Sequence, residues 1–205
     1  MPDLAFENQL RAEGYLLIAG IDEAGRGPLA GPVMAAAVVV PECYTHDVLN
    51  DSKQLSEKTR EELYDEIVAD GRVCWASAAI EPAAIDRINI LQATYRAMQN
   101  AFGLLMPRPD IALIDGRPVT GFPSPHRALV KGDSLSLSIA AASIVAKVER
   151  DRIMRHYALQ YPEYGFERHK GYGTPEHRAA LRKHGPCPIH RRSFSPVSQM
   201  ELDLG

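Results

Sequence analysis

Disulfides, zinc ribbons and membrane spans are structures for which this sequence has little material. Its three cysteines, Cys43, Cys74 and Cys187, form an odd set without CxxC spacing, so they read as buried, inert thiols. The longest apolar stretches, GPVMAAAVVV and SIAAASIVAKV, fall short of the roughly 20 residues that a transmembrane helix needs. The segment from Met1 to Leu10 has no basic start followed by an apolar block. A cytoplasmic protein with no membrane partner is expected. GxGxxG, Walker and HExxH patterns are all missing, which removes the usual signatures of dinucleotide, P-loop and zinc-peptidase sites. Nor is there an internal repeat, a low-complexity segment or an oligomerisation stripe, so a monomer built as a single domain is expected.

What the chain does have is enough apolar residue, 45% of 205, to bury a sizeable core. Its charge is unevenly placed. Residues 1–120 carry 10 Lys and Arg against 18 Asp and Glu, whereas residues 121–205 carry 13 against 8 and hold six of the seven histidines. The second part can therefore meet a polyanion although the net charge is −3; the plain alternative is two ordinary solvated surfaces.

Residues 15–21 and 33–40 read as buried strands joined by a glycine-rich connection. LSEKTREELYDEIVADG has helical spacing, with Ser56 as its cap and Gly71 beyond its end. VCWASAAI is a further strand, and a long helix starts near Pro82 and stops before Pro107. IALIDG and HRALVKGD read as short strands, and SLSLSIAAASIVAKVERDRIMRHYALQYP as a long helix whose small residues permit close packing on a sheet. Thr174 and Pro175 open the last clear helix and Gly185 closes it. Strands that come first as a group and then alternate with helices predict an α/β fold, a mixed sheet with helices packed on it.

Three of these strand ends finish in acid: Asp22 and Glu23 after YLLIAGI, Asp115 after IALI, and Asp133 after HRALVKG. Open α/β sheets place binding groups beyond strand ends. Four carboxylates in one place repel one another unless a cation neutralises them, and an all-oxygen set selects a hard ion, magnesium or manganese. Any single one of these acids reads equally well as a turn former, Asp115-Gly116 above all. The set of four, each preceded by an apolar run, is what points to a metal. Because strand side chains alternate faces, Asp22 and Glu23 share a site only if a turn begins at Glu23. His169, His177, His184 and His190 lack zinc-site spacing and are expected on a basic surface.

DEAGRGPLAGP, NDSKQLSEK, LIDG, VKGDS, IAAASIVAKVERD, HKGYGT and HRRSFSPV, in this order, closely resemble the motif series of bacterial ribonuclease HII, the type 2 ribonuclease H, over residues 17–197. The resemblance implies a ribonuclease H-like mixed β-sheet flanked by helices, with a C-terminal helical region from about residue 165 that binds substrate. It implies a metal-dependent endoribonuclease that cuts the RNA strand of RNA–DNA hybrids. It further implies nicking of duplex DNA 5′ of a single embedded ribonucleotide, leaving 5′-phosphate and 3′-hydroxyl ends, as a step in ribonucleotide removal.

Position by position, the family's catalytic, metal-binding acids fall on Asp22, Glu23, Asp115 and Asp133, with Mn2+ or Mg2+ in a two-ion mechanism. Gly25, Arg26 and Gly27 fall on the segment that reads the RNA-to-DNA junction, where glycine lets backbone approach a sugar and bond its 2′-hydroxyl. Tyr172 falls on the family's junction-sensing tyrosine. Ser52, Lys53, Lys147 and Arg150 are candidates for phosphate contacts, against a helix cap and solvated charges as the alternative. Gln54 stands where the family often has lysine. His190, Arg191 and Arg192 either contact phosphate or brace the C-terminal region.

The tail from Gln199 to Leu204, QMELDL, resembles the pattern by which bacterial replication proteins dock on the sliding clamp, with an uninvolved tail as the alternative. Ribonuclease HIII usually has an added N-terminal domain, for which the residues before DEAGRG leave no room. A non-catalytic nucleic-acid-binding module has no need of the acids. A small-molecule phosphatase leaves Gly25 to Gly27, Tyr172 and the basic second half without a purpose.

Overall fold

The computed structural model describes residues 1–46, 49 and 55–202, so Ser52, Lys53, Gln54, Asp203 and Leu204 lie outside the described residues. Five strands form one sheet in the order β3-β2-β1-β4-β5: β1 Ile18–Ala24, β2 Val33–Val39, β3 Cys74–Ile80, β4 Ile111–Asp115 and β5 His126–Leu129. β2 is antiparallel to both of its neighbours, while β1, β4 and β5 run parallel. The helices are α1 Ala5–Ala12, α2 Glu57–Ala69, α3 Pro82–Leu104, α4 Leu137–Gln160, α5 Phe166–His169, α6 Pro175–His184 and α7 Val197–Leu202. This is the mixed sheet with flanking helices that the pattern predicts.

β2, VMAAAVV, is buried along its whole length, as a central strand covered on both faces must be. Met34, Ala36 and Val38 meet Leu63 and Ile67 of α2 and Ala141 and Val145 of α4. Ala35 and Ala37, with Ile21 and Ile114, meet Ala97, Ala101 and Phe102 of α3 on the other face. The two-residue period of the strands divides these side chains between the layers. α4 lies so close to β1 that a Cβ on Gly20 would stand 2.1 Å from the carbonyl carbon of Ser138. Ser136 caps α4 by accepting from the Ile139 N–H, and buried Glu7 of α1 accepts from the hydroxyls of Ser136 and Ser138 and from the Ser138 N–H.

Three details depart from expectation. β1 continues through Glu23 to Ala24, and the chain turns only at Gly25, whose φ is +91°. β5 ends at Leu129, so Asp133 falls in a 3-10 turn, Gly132–Ser134, and not at a strand end. α3 is broken at Asn89 (φ 64°, ψ 165°), whose side chain recaps the second half by accepting from the Gln92 N–H. The short helices α1, α5 and α7 carry too few turns to announce themselves by periodicity. Among the described residues no helix is long and apolar enough to cross a membrane.

Candidate active site

β1 and β4 pair in the register Ile21↔Ile114, so the residues that follow, Asp22 within β1 and Asp115 at the end of β4, stand side by side at the same level. Ile21 and Ile114 point into the α3 layer; alternation turns Asp22 and Asp115 toward α4 and Glu23 toward α3. β4 ends at Asp115, so on that side β1 runs on without a partner strand, and Glu23 reaches the same cavity as Asp22 although no turn begins before Gly25. Asp22, Glu23 and Asp115 line one cavity of about 210 Å³ together with Gly25, Arg26, Gly27, Ser143, Lys147 and Tyr172. A second cavity of about 400 Å³ shares Glu23, Arg26 and Asp115 with it and extends along α3 past Tyr95 and Arg117. The acids thus stand where two clefts meet.

Asp22 is only 4% exposed. Burial first, and then the charges of Glu23 and Asp115, hold its carboxyl well above the usual carboxylate range, against the Glu23 N–H at 2.7 Å and the Ser143 hydroxyl. Arg26 donates to Glu23 Oε1 at 3.2 Å, and the Gly132 N–H donates to Asp115 Oδ1 at 2.7 Å. A crowded, all-oxygen set with one deeply buried carboxyl fits magnesium or manganese and offers zinc none of its preferred nitrogen or sulfur ligands. Among the described residues no three His, Cys, Asp or Glu side chains form a ready-made metal cage, so the acids are an open set. Asp133 is 6% exposed and is not among the residues lining either cavity; the residue before it, Gly132, donates its N–H to Asp115.

Tyr172 is 43% exposed, and a Cβ on Gly27 would lie 3.9 Å from its Cε1, so ring and glycine face each other across the cavity. Lys147 lines the cavity while paired to both carboxylate oxygens of Asp151 at 2.6 Å. Burial lowers the Lys147 pKa, with Asp151 opposing the shift. Arg150 does not bear out its reading as a phosphate contact. It is fully buried, and its guanidinium donates to the carbonyls of Pro32, Lys170 and Ala30. Arg191 is equally buried and donates to the carbonyls of Gly31, Arg26 and Gly25, so of its two readings the brace holds.

Of the four histidines expected on a surface, His184 is exposed but the other three are not. His169, His177 and His190 are buried, not on a basic surface. His177 Nδ1–H donates to the Tyr172 carbonyl at 2.9 Å, its Nε2 lies 3.0 Å from His190 Nε2, and His190 Nδ1 accepts from the Cys187 N–H. Each ring then donates once and accepts once, which is the pattern of neutral imidazoles. Burial pushes both His177 and His190 down to about 4. Ser143 was missed by sequence reasoning. Its signal was its spacing, four residues before Lys147 on one helix face.

The family model of ribonuclease HII matches residues 19–197. The chain is 53% identical to a ribonuclease HII of Ruminiclostridium cellulolyticum over 191 residues, 93% of this chain and 74% of that protein. It is also 53% identical to one of Endomicrobium trichonymphae over 205 residues, 98% of this chain and 97% of the other. Among solved structures, ribonuclease H2 of Pyrococcus horikoshii superposes with a TM-score of 0.77 at 26% identity, covering 92% and 98% of the two chains. A ribonuclease HII of Archaeoglobus fulgidus, solved in complex with PCNA, gives 0.72 at 28% identity, covering 88% and 96%. With the sheet, the paired strand-end acids and a match over nearly its whole length, the chain belongs to the ribonuclease HII family, hydrolases that cut the RNA strand of RNA–DNA hybrids.

Proposed function

We propose that this enzyme nicks duplex DNA on the 5′ side of a single embedded ribonucleotide, as well as cutting continuous hybrids, and leaves 5′-phosphate and 3′-hydroxyl ends. The observation that carries the reading is one cavity that joins Asp22, Glu23 and Asp115 to Gly25, Arg26, Gly27 and Tyr172. The acids supply hydrolysis at a phosphate, and the glycine turn facing an exposed tyrosine supplies a narrow place for a sugar. Asp22, Glu23 and Asp115 would hold divalent metal, with Asp133 joined to them through its neighbour's contact to Asp115. Two magnesium or manganese ions there would supply the charge that makes water a nucleophile at neutral pH and stabilises the leaving 3′ oxygen.

The chain's own groups do the rest. Backbone of the 25–27 turn approaches the 2′-hydroxyl, and the Tyr172 ring packs on the neighbouring deoxyribose. Lys147, held by Asp151, faces the phosphate from α4. Residues from about 165 onward form the substrate-binding part of one catalytic domain. The test is a DNA duplex carrying one ribonucleotide, incubated with each metal and mapped to the nucleotide. A metal-dependent nick on the 5′ side is expected; cleavage of continuous hybrid without that nick overturns the junction reading.

A sliding clamp is the proposed second partner, through Gln199 to Leu204. Gln199 is exposed on α7, whereas Met200 packs on the cluster of Leu29, Leu181 and Val197 and must leave it to enter a clamp groove. Binding of purified bacterial clamp that Gln199→Ala abolishes is expected; no binding by the intact protein rejects the idea.

A further inference from the structure

Two arginines lie fully buried behind the 25–27 turn, and their guanidinium groups donate to six backbone carbonyls. Buried cations are normally paired with carboxylates, so a pair held on carbonyls calls for a reason. The two differ in what they grip. Arg150 holds the carbonyls of Ala30, Pro32 and Lys170. Arg191 donates from Nη2 to Gly25 O at 2.5 Å and from Nη1 to Arg26 O at 2.9 Å, and its Nε bonds Gly31 O at 3.0 Å.

The peptides Gly25-Arg26 and Arg26-Gly27 are trans, and in a planar trans peptide C=O and N–H point in opposite directions. A fork that draws both carbonyls inward therefore turns the N–H groups of Arg26 and Gly27 outward. Gly25, Arg26 and Gly27 line the cavity and Arg191 does not, so outward is toward the cavity. The fork is itself fixed. The Arg191 N–H donates to Leu29 O, its guanidinium lies 5.0 Å from the centre of the Phe194 ring, and the next two residues are tied to Asp86 of α3 through the amides of Arg192 and Ser193.

We infer that Arg191 is the positioning residue for ribose recognition: it sets the two peptide planes whose N–H groups present themselves to a 2′-hydroxyl. This rests on the junction reading above and adds the residue that enforces it. The planar fork is required, because two carbonyls on successive peptides need two divergent donors from one rigid group. Lysine keeps the charge but not the geometry. Burial and the charge of Arg150 push the Arg191 guanidinium down to about 9, so it stays protonated at neutral pH.

The experiment measures affinity, in chelator so that no cleavage competes, for a short DNA duplex with one internal ribonucleotide and for the same duplex in all-DNA form. The readout is the ratio of the two affinities. Arg191→Lys should lower the wild-type ratio roughly tenfold, toward one, with little change on all-DNA duplex. Arg150→Lys is the contrast: its side chain packs on Gly25 and lies 5.9 Å from the centre of the Tyr172 ring, but it bonds neither the Gly25 nor the Arg26 carbonyl, so its ratio should fall less than that of Arg191→Lys. A wild-type ratio in a folded Arg191→Lys protein, or an equal fall in both variants, overturns the assignment.

A second measurement needs no substitution. In the intact protein the amide resonances of Arg26 and Gly27 should shift on binding the ribonucleotide duplex and not on binding the all-DNA one; their failure to do so rejects the proposal even if Arg191→Lys does not fold. A ratio near one in the unsubstituted protein is a different result, which removes the junction reading itself.

Discussion

A carboxyl group buried beside two others destabilises the protein that holds it unless a cation relieves the repulsion, and Asp22 is such a group. Asp22→Asn is therefore expected to raise metal-free stability by about 1–2 kcal/mol while cleavage collapses and duplex binding survives. Added magnesium or manganese should raise the melting temperature of the unsubstituted enzyme and leave that of the variant nearly unmoved. Equal stabilisation of both by metal would remove Asp22 from the ligand set. Gly20 acts at the same scale by leaving room. A methyl group there would meet the Ser138 backbone at 2.1 Å, and backbone at the start of a helix yields less readily than the tip of a side chain. Gly20→Ala should cost about 3 kcal/mol in urea unfolding by forcing β1 and α4 apart. A loss below 1 kcal/mol would mean that the helix shifts with little strain.

Among the elements, α4 and α3 hold the site from opposite faces of the sheet. Ser143, Lys147, Arg150 and Met154 follow one another at intervals of four, three and four residues, so one helical stripe serves first the cavity and then the packing beneath residues 30–32. That stripe was visible in the motif IAAASIVAKVERD, but its spacing cannot say which of its cations faces solvent. Arg150 was misread for this reason. The break in α3 had no sequence signal, since Ile88, Ile90 and Leu91 continue a helical pattern across it. Asn89 occupies a backbone region that is costly for any residue with a Cβ, and it offsets part of that cost by capping Gln92. Asn89→Ala should thus lose about 1–2 kcal/mol, while Asn89→Gly, which loses the cap but relieves the strain, should stay within a few tenths of the original. Chemical denaturation of both variants checks the order, and an Ala variant as stable as the Gly variant would contradict the strain argument.

Across the whole molecule, residues 171–191 return to brace residues 25–31. His190 bridges to Ala30, the Gly31 N–H donates to Ile189 O, and the Leu29 N–H donates to Gly171 O. The buried histidines sit inside this brace, and they make it sensitive to acid. His177 and His190 have folded pKa values of about 4, below the 6.5 of a free histidine. Their contribution is complete above pH 6.5 and is lost as pH falls toward 4, because the unfolded chain takes up the protons first. Each can add a slope of at most about 1.4 kcal/mol per pH unit in that window. His190→Gln should flatten the acid limb of a plot of stability against pH, and an unchanged limb would show that other groups carry it.

The sequence by itself determined the class of fold and singled out three acids, Asp22, Glu23 and Asp115, that line one cavity. Strand and helix periodicities are local properties, and the runs ending in Asp22-Glu23 and Asp115 were enough to put carboxylates toward the C-terminal ends of two strands. It could not decide which face each side chain takes there, that Asp133 sits in a 3-10 turn, or that His169, His177, His190 and Arg191 are buried while Arg182, Lys183 and His184 stay exposed. Those outcomes depend on register and on contacts between residues more than a hundred positions apart, such as Arg191 on Gly25 and Arg150 on Pro32. A charged residue reads as exposed in a one-dimensional pattern. Only tertiary structure could show backbone carbonyls gathered in sufficient number to hold two guanidinium groups in the interior.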